Sequence, residues 1–156
     1  MIRRAYLIAL VVVVSDQLSK LWALQQLSGR GLQPLLPGLL QQRLVFNTGA
    51  AFSMLEGNAF ALGLVSAGVA LALVWWIQSS ASLSRWQSLG LGLLLGGAIG
   101  NGLDRWRLGS VVDFLEFVPI SFPVFNLADT AINLAVLCLL IDLLRRQDGN
   151  HDRPAR

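Results

Sequence analysis

The sequence is short of the groups that most hydrolases recruit for chemistry. Among its 156 residues there is one cysteine, Cys138, inside an apolar run, and one histidine, His151, in a polar stretch near the C-terminus. A single cysteine cannot close a disulfide within the chain, and no Cys/His metal-ligand spacing exists. Cys138 reads as a small packing residue, and His151 as a solvated one. Serine–histidine and cysteine–histidine hydrolase arrangements therefore lack a base. Charge is scarce as well: 13% of the residues carry one, against about 25% in an ordinary soluble domain. With 54% of residues hydrophobic, the solvent for most of this chain is lipid. The net charge of +3 calls for no nucleic acid, because the arginines cluster beside hydrophobic segments, where they orient a membrane protein. No internal repeat is visible, and residues 1–156 read as one integral-membrane domain.

What is present is long apolar runs. The clearest is Asn58 to Gln78, which contains no charged residue and ends in the interfacial pair Trp75 and Trp76. Trp86 to Leu103 is a second uncharged run, and Leu127 to Leu144 a third, with Asp129 in its first turn and Asp142 near its end. A further run extends from Ala5 toward Leu27, interrupted by Asp16 and Lys20. The sequence thus predicts a mainly α membrane protein with four transmembrane helices, at about 5–27, 58–78, 86–103 and 127–144. A cleavable signal peptide at the start is the alternative for the first run, but no A-x-A-like cleavage site follows it. Four spans place both termini on one side. Arg3, Arg4, Arg85, Arg145, Arg146, Arg153 and Arg156 share that side, which the positive-inside rule makes the cytoplasm. The long connections, roughly residues 28–57 and 104–126, then face outward, and residues from about 148 form a disordered tail.

The outer connections have strand character. Leu44-Val45-Phe46, a turn at Asn47-Thr48-Gly49, and Ala50 to Met54 read as a small β-hairpin, or cradle. Val111 to Val118 has strand composition too, which sets Asp113 on one face with Val111, Leu115 and Phe117. The leucines at 32, 35, 36, 39 and 40 lie among glutamines, either as an interfacial amphipathic segment or as incidental leucines of a loop.

Against this apolar background a few polar residues stand out. Asp113 and Asp129 fall at the outer edge of the spans without an obvious basic partner beside them; carboxylates are costly there and mark functional sites. Asp16 and Lys20, at i and i+4, share a helix face and form either a buried ion pair that fixes packing or a support for the site. Gly92, Gly96 and Gly100 have the spacing that lets helices approach closely. Asn101, Asp104 and Arg105 follow them on one face, as braces for the carboxylates or as an interface ion pair. Asn126 is a natural N-cap, with Asp129 at the third helical position. Capping alone would account for both. Asp142 with Arg145 and Arg146 reads as an interfacial ion pair.

Five blocks occur in one order: Asp16-Gln17-Leu18-Ser19-Lys20, Asn47-Thr48-Gly49-Ala50-Ala51-Phe52-Ser53, Gly96-Gly97-Ala98-Ile99-Gly100-Asn101-Gly102-Leu103-Asp104-Arg105, Val111-Val112-Asp113-Phe114, and Phe125-Asn126-Leu127-Ala128-Asp129. In these the chain closely resembles bacterial lipoprotein signal peptidase, or signal peptidase II. The resemblance implies an aspartic endopeptidase of the bacterial inner membrane. Such an enzyme acts at the periplasmic face without cofactor or metal, and cuts diacylglyceryl-modified prolipoproteins before the lipid-modified cysteine. It places the catalytic pair on Asp113 and Asp129. The other positions carried over are Asp16, Lys20, Asn47, Gly49, Asn101, Asp104, Arg105, Asn126 and Ala128, which bind substrate or support the site. Inhibition by globomycin and a monomeric state are further expectations. Thr130 stands where serine is common in the family.

Two carboxylates that share one proton supply both the base and the acid that amide hydrolysis needs. Asp129, near a helix N-terminus, is expected to start as the anion, and Asp113, on an apolar strand, as the acid. The Asn47–Ser53 turn is expected to cover the peptide, and Arg105 to orient either Asp104 or a carbonyl. A transporter or proton channel, a metal-dependent phospholipid-modifying enzyme and a structural anchor are the competing classes. The first would string its carboxylates through the bilayer, the second would need recurring metal-binding acids, and the third leaves Asn101, Asp104, Asp113 and Asp129 without a purpose.

Overall fold

Uninterrupted apolar sequence with a polar residue at each end is enough to define most of the helices. In the computed structural model, which describes residues 1–49 and 58–151, four long helices account for most of the chain. They are α1 (Ile2–Leu27), α2 (Ala59–Ser79), α3 (Arg85–Leu108) and α4 (Leu127–His151). Asn58 caps α2 by accepting a hydrogen bond from the Ala61 N–H at 3.1 Å. Ser84 caps α3 in a reciprocal box with Gln87. Gly109 ends α3 in the left-handed conformation, φ 70°, its N–H donating to the Arg105 carbonyl.

Three of these helices, α1, α2 and α4, are long and apolar enough to cross a membrane. Their outward faces are apolar: Leu71 and Trp75 are more than two-thirds exposed, and Leu7, Val11, Val65 and Leu144 are exposed as well. The interior, by contrast, holds Asp16, Lys20, Asn101, Asp104, Asp113 and Asn126. A polar inside under an apolar outside is the arrangement lipid selects. The chain is a mainly helical, multi-pass membrane protein.

Helix α3 packs on α1, α2 and α4, and two of its glycines show how. A Cβ on Gly96 would stand 2.8 Å from the Ala9 carbonyl of α1, and one on Gly97 would stand 2.7 Å from the Ala128 carbonyl of α4. Both distances are too short for any side chain, so these backbones meet directly. Leu91, Leu95, Ile77 and Leu73 fill the space toward Ala5 and Ala9.

The connections build a three-stranded antiparallel sheet in the order β1 (Gln33–Leu36), β2 (Leu40–Asn47), β3 (Val111–Phe117). The register sets Val45 opposite Asp113 and Asn47 opposite Val111. The predicted strand over 111–118 is thus present, and so is the one through Leu44–Phe46. The observed partners of β2 are β1 and β3. The proposed partner, Ala50 to Met54, lies outside the described residues. Gln33–Leu36 is a strand that the leucine pattern did not reveal, because every residue in it is exposed and no apolar/polar alternation results. The start of β3 also departs from alternation: Val111, Val112, Asp113 and Phe114 are all buried, since one face meets the helices and the other the cavity. Helix α4 continues to His151. Adding a residue to an existing helix costs far less than starting one, so polar sequence can follow where apolar sequence leads.

Candidate active site

The site begins with a short link between sheet and helix. Leu115 and Phe125 pair as an isolated antiparallel bridge, with two N–H to carbonyl bonds of 2.8 Å. This lays the segment before α4 against β3. Asn126 follows immediately, and its side-chain Oδ1 accepts from the Asp129 N–H at 2.9 Å while its own N–H donates to Asp129 Oδ2 at 3.2 Å. The exchange is a capping box, and it fixes the Asp129 carboxylate over the first turn of α4. The Asn126 amide nitrogen also donates to Asp113 Oδ1 at 2.7 Å. One asparagine therefore touches both aspartates.

Each remaining carboxylate oxygen has its own donor. Asn47 Nδ2 reaches Asp113 Oδ2 at 3.0 Å, and Asn101 Nδ2 reaches Asp129 Oδ1 at 2.8 Å. Asn47 is held in turn by the Gly49 N–H, which donates to its Oδ1 at 3.0 Å. Arg105 donates to the Gly49 carbonyl at 3.3 Å and to the Asn101 carbonyl at 3.4 Å. Among the described residues its hydrogen bonds go to these two backbone carbonyls. Its Nε is buried without a hydrogen bond among the described residues.

Asp113 and Asp129 open on one cavity of about 810 Å³, whose walls include Asn47, Gly49, Asn101 and Arg105. Burial pushes the Asp113 carboxyl up to about 7, and the neighbouring Asp129 charge pushes in the same direction. Hydrogen bonds from Asn47 and Asn126, and the positive charge of Lys20, oppose the shift without cancelling it.

Asp16, Lys20, Asp104, Asn126 and Ala128 stand behind this wall. Lys20 Nζ lies 2.8 Å from Asp16 Oδ2 and 2.8 Å from Asp104 Oδ2, and donates to Asn101 Oδ1 at 3.0 Å. Asp16 Oδ1 accepts from the Ala128 N–H of α4 at 3.0 Å, and Asp104 Oδ2 accepts from the Val112 N–H of β3 at 3.1 Å. The ion pair thus grips the two segments that carry Asp129 and Asp113. The contacts are those of a packing device, and they reach the backbone on either side of the cavity. A Cβ on Gly100 would stand 2.6 Å from Asp16 Oδ2, so the carboxylate needs a glycine there.

Sequence reasoning missed Gln17, which donates to Asp104 Oδ1 at 3.0 Å and accepts from Arg107 at 3.1 Å. Its signal was modest: an amide beside Asp16 in an apolar run. It also missed much of the cavity wall, including Arg43, Phe122, Pro123 and Ile132. These are ordinary residue types whose position depends on tertiary packing. The covering segment proposed at Asn47–Ser53 lies outside the described residues from Ala50 onward. Asp142 pairs with Arg146 at 2.8 Å and accepts from Ser84, while Arg145 stacks over Trp86; this cluster is remote from the cavity.

Two carboxylates joined by one asparagine, at one end of helices suited to a bilayer, define the class: a membrane-embedded peptidase of the aspartic type. Comparison with known proteins narrows it. The sequence pattern of the family described as Signal peptidase (SPase) II matches residues 8–145. The Lipoprotein signal peptidase of Parasynechococcus marenigrum (strain WH8102) is 51% identical over 91% of this chain and 91% of its own. That of Synechococcus sp. (strain RCC307) is 53% identical over 87% of this chain and 91% of its own. A solved structure described as a bacterial membrane enzyme, determined by the in meso method at 2.3 Å, superposes with a TM-score of 0.85. It is 28% identical, over 97% of this chain and 94% of that one. The chain belongs to the signal peptidase II family, and it is an aspartic endopeptidase that processes prolipoproteins.

Proposed function

We propose that Asp113 and Asp129 are the catalytic pair, holding one proton between them, with Asp113 as the initial acid and Asp129 as the initial base. The observation that carries this reading is Asn126, whose side chain donates to Asp113 and whose backbone N–H donates to Asp129. Burial favours the neutral acid at Asp113, which leaves Asp129, in the first turn of α4, as the partner that takes a proton. Asp129 takes a proton from water, and the water oxygen bonds to the scissile carbonyl carbon. Asp113 gives its proton to the leaving nitrogen as the C–N bond breaks. Each transfer is worth about 10²–10⁴ in rate.

The substrate is a prolipoprotein whose cysteine carries a diacylglyceryl group, cut just before that cysteine. Its signal helix enters from the side, with the acyl chains left in lipid and the scissile bond in the 810 Å³ cavity. Asn47, Gly49 and Arg105 line that cavity and contact the peptide; Asp16, Lys20, Asn101, Asp104, Asn126 and Ala128 support the pair. A globomycin-type inhibitor occupies the same space. Helix α3 is the fourth span, its apolar character diluted by glycine. Met1 accepts from Ser88, and Asp142 accepts from Ser84, which gathers Arg3, Arg4, Arg85, Arg145 and Arg146 at one end. That end faces the cytoplasm across the bacterial inner membrane, and the carboxylates face the periplasm. The enzyme acts as a monomer.

The test is processing of a lipidated precursor in vesicles by the wild type, Asp113→Asn and Asp129→Asn, with and without globomycin. Both variants are expected to fold and to lose turnover. Near-normal cleavage by either one would refute the pair.

A further inference from the structure

Lys20 is the only lysine in the sequence, and it is buried beside two carboxylates. A simple counter-ion would need one partner. Lys20 has three, and they match its chemistry: an ammonium group has three N–H donors and no acceptor. Two donors go to Asp16 Oδ2 and Asp104 Oδ2, and the third goes to Asn101 Oδ1 at 3.0 Å. The third contact has a directional consequence. An amide facing Lys20 must present its oxygen, so its nitrogen must face the other way. That nitrogen donates to Asp129 Oδ1 at 2.8 Å. The Asn126 amide nitrogen also donates to Asn101 Oδ1, at 3.1 Å, which enforces the same orientation.

We propose that Lys20 is a positioning residue: it locks the Asn101 amide so that an N–H always points at Asp129, and so holds Asp129 as the unprotonated member of the pair. The inference rests on the reading of Asp113 and Asp129 given above. Without Lys20 only the Asn126 contact opposes rotation of the Asn101 amide; whenever its oxygen turns toward Asp129, a lone pair replaces a donor and favours the protonated acid. The charged groups around the relay are Asp16 on α1, Asp104 and Arg105 on α3, and Asp113 on β3; α4 contributes Asp129 itself.

Removing Lys20 alone strands two buried carboxylates and threatens folding. The paired variant K20M/D104N removes one charge of each sign, so the cluster of Asp16, Lys20 and Asp104 keeps its net charge. The side-chain oxygen of the new amide still accepts from the Val112 N–H. The full-length enzyme is reconstituted with a lipidated precursor, and kcat, KM and the pH–rate profile are measured. The same pair of substitutions is then placed in an Asn101→Ala background. The expected result is a fall in kcat of about tenfold or more, the weight of a hydrogen bond to a charged group. KM should stay within roughly twofold, and the acid limb of the profile should move to higher pH. In the Asn101→Ala background the pair should add little, because the relay is already cut.

An unshifted acid limb would overturn the proposal, as would an equal loss of kcat in both backgrounds. Failure here is distinct from failure of the catalytic pair. If Asp113→Asn and Asp129→Asn abolish turnover while K20M/D104N keeps the wild-type profile, only the role of Lys20 falls. Turnover retained by either aspartate variant removes the ground for both.

Discussion

The helix bundle places acid at each end, one aspartate at one and four at the other, and the two are built to different purposes. Near the N-terminus of α3, Asp142 accepts from Ser84 and pairs with Arg146, which is more than half exposed. Every group there closes a helix end or reaches solvent. At the other end, Asp16 and Asp104 are saturated by Lys20 and by backbone N–H groups. Asp113 and Asp129, a few ångströms further on, instead line an open cavity. Saturated carboxylates hold elements together, whereas carboxylates that keep a free lone pair beside a cavity can exchange protons. The residue type is the same; the surroundings decide which task it performs.

The contrast breaks most sharply at the cavity. Asp113→Asn or Asp129→Asn should reduce turnover by roughly 10³-fold or more, since each removes one of the two proposed proton-transfer groups, while a thermal melt still shows a folded protein. Behind the cavity the effect should shift from rate to stability. Gly100→Ala forces a methyl group against the Asp16 carboxylate and should cost about 1–3 kcal/mol, read as a lower melting temperature with weakened activity.

The third prediction concerns pH. As the proposed acid, Asp113 acts only when protonated, and burial pushes its carboxyl up to about 7, so kcat/KM should fall as pH rises through that value. The same shift affects stability. The folded state holds the Asp113 proton where the unfolded chain has released it, so this group's contribution declines from about pH 4 and is lost by pH 7. Asp113→Asn should therefore raise the melting temperature most above pH 7; a uniform change across pH would contradict the assignment. The smallest effect belongs to the other end. Asp142→Asn should cost about 0.5 kcal/mol, as expected for a partly exposed pair, and leave cleavage kinetics unchanged.

How much of this the sequence disclosed follows from the range of the forces involved. Spans and caps depend on residues a few positions apart, so the four apolar runs and Asn126 with Asp129 were legible. Strand β1 was not, because its exposed residues show no pattern and its pairing is set by β2. The polar site residues stood out because lipid penalises polarity, and the ordered blocks around them marked the family. Gln17 and the wall residues Arg43, Phe122 and Ile132 gave no comparable contrast. Nor did the sequence show that Asp16 and Asp104 reach backbone groups on α4 and β3, since those bonds join residues 112 and 8 positions apart.

The bond from Asp16 to Ala128 has a bearing on biogenesis. Its donor is made long after its acceptor, 112 residues further along the chain. Until α4 inserts, Asp16 lacks its distant mate and the cleft lacks Asp129. A nascent copy that has made only α1 to β3 therefore has an incomplete cleft, and with Asp129 as half of the proposed catalytic pair it would not attack neighbouring precursors until α4 is in place.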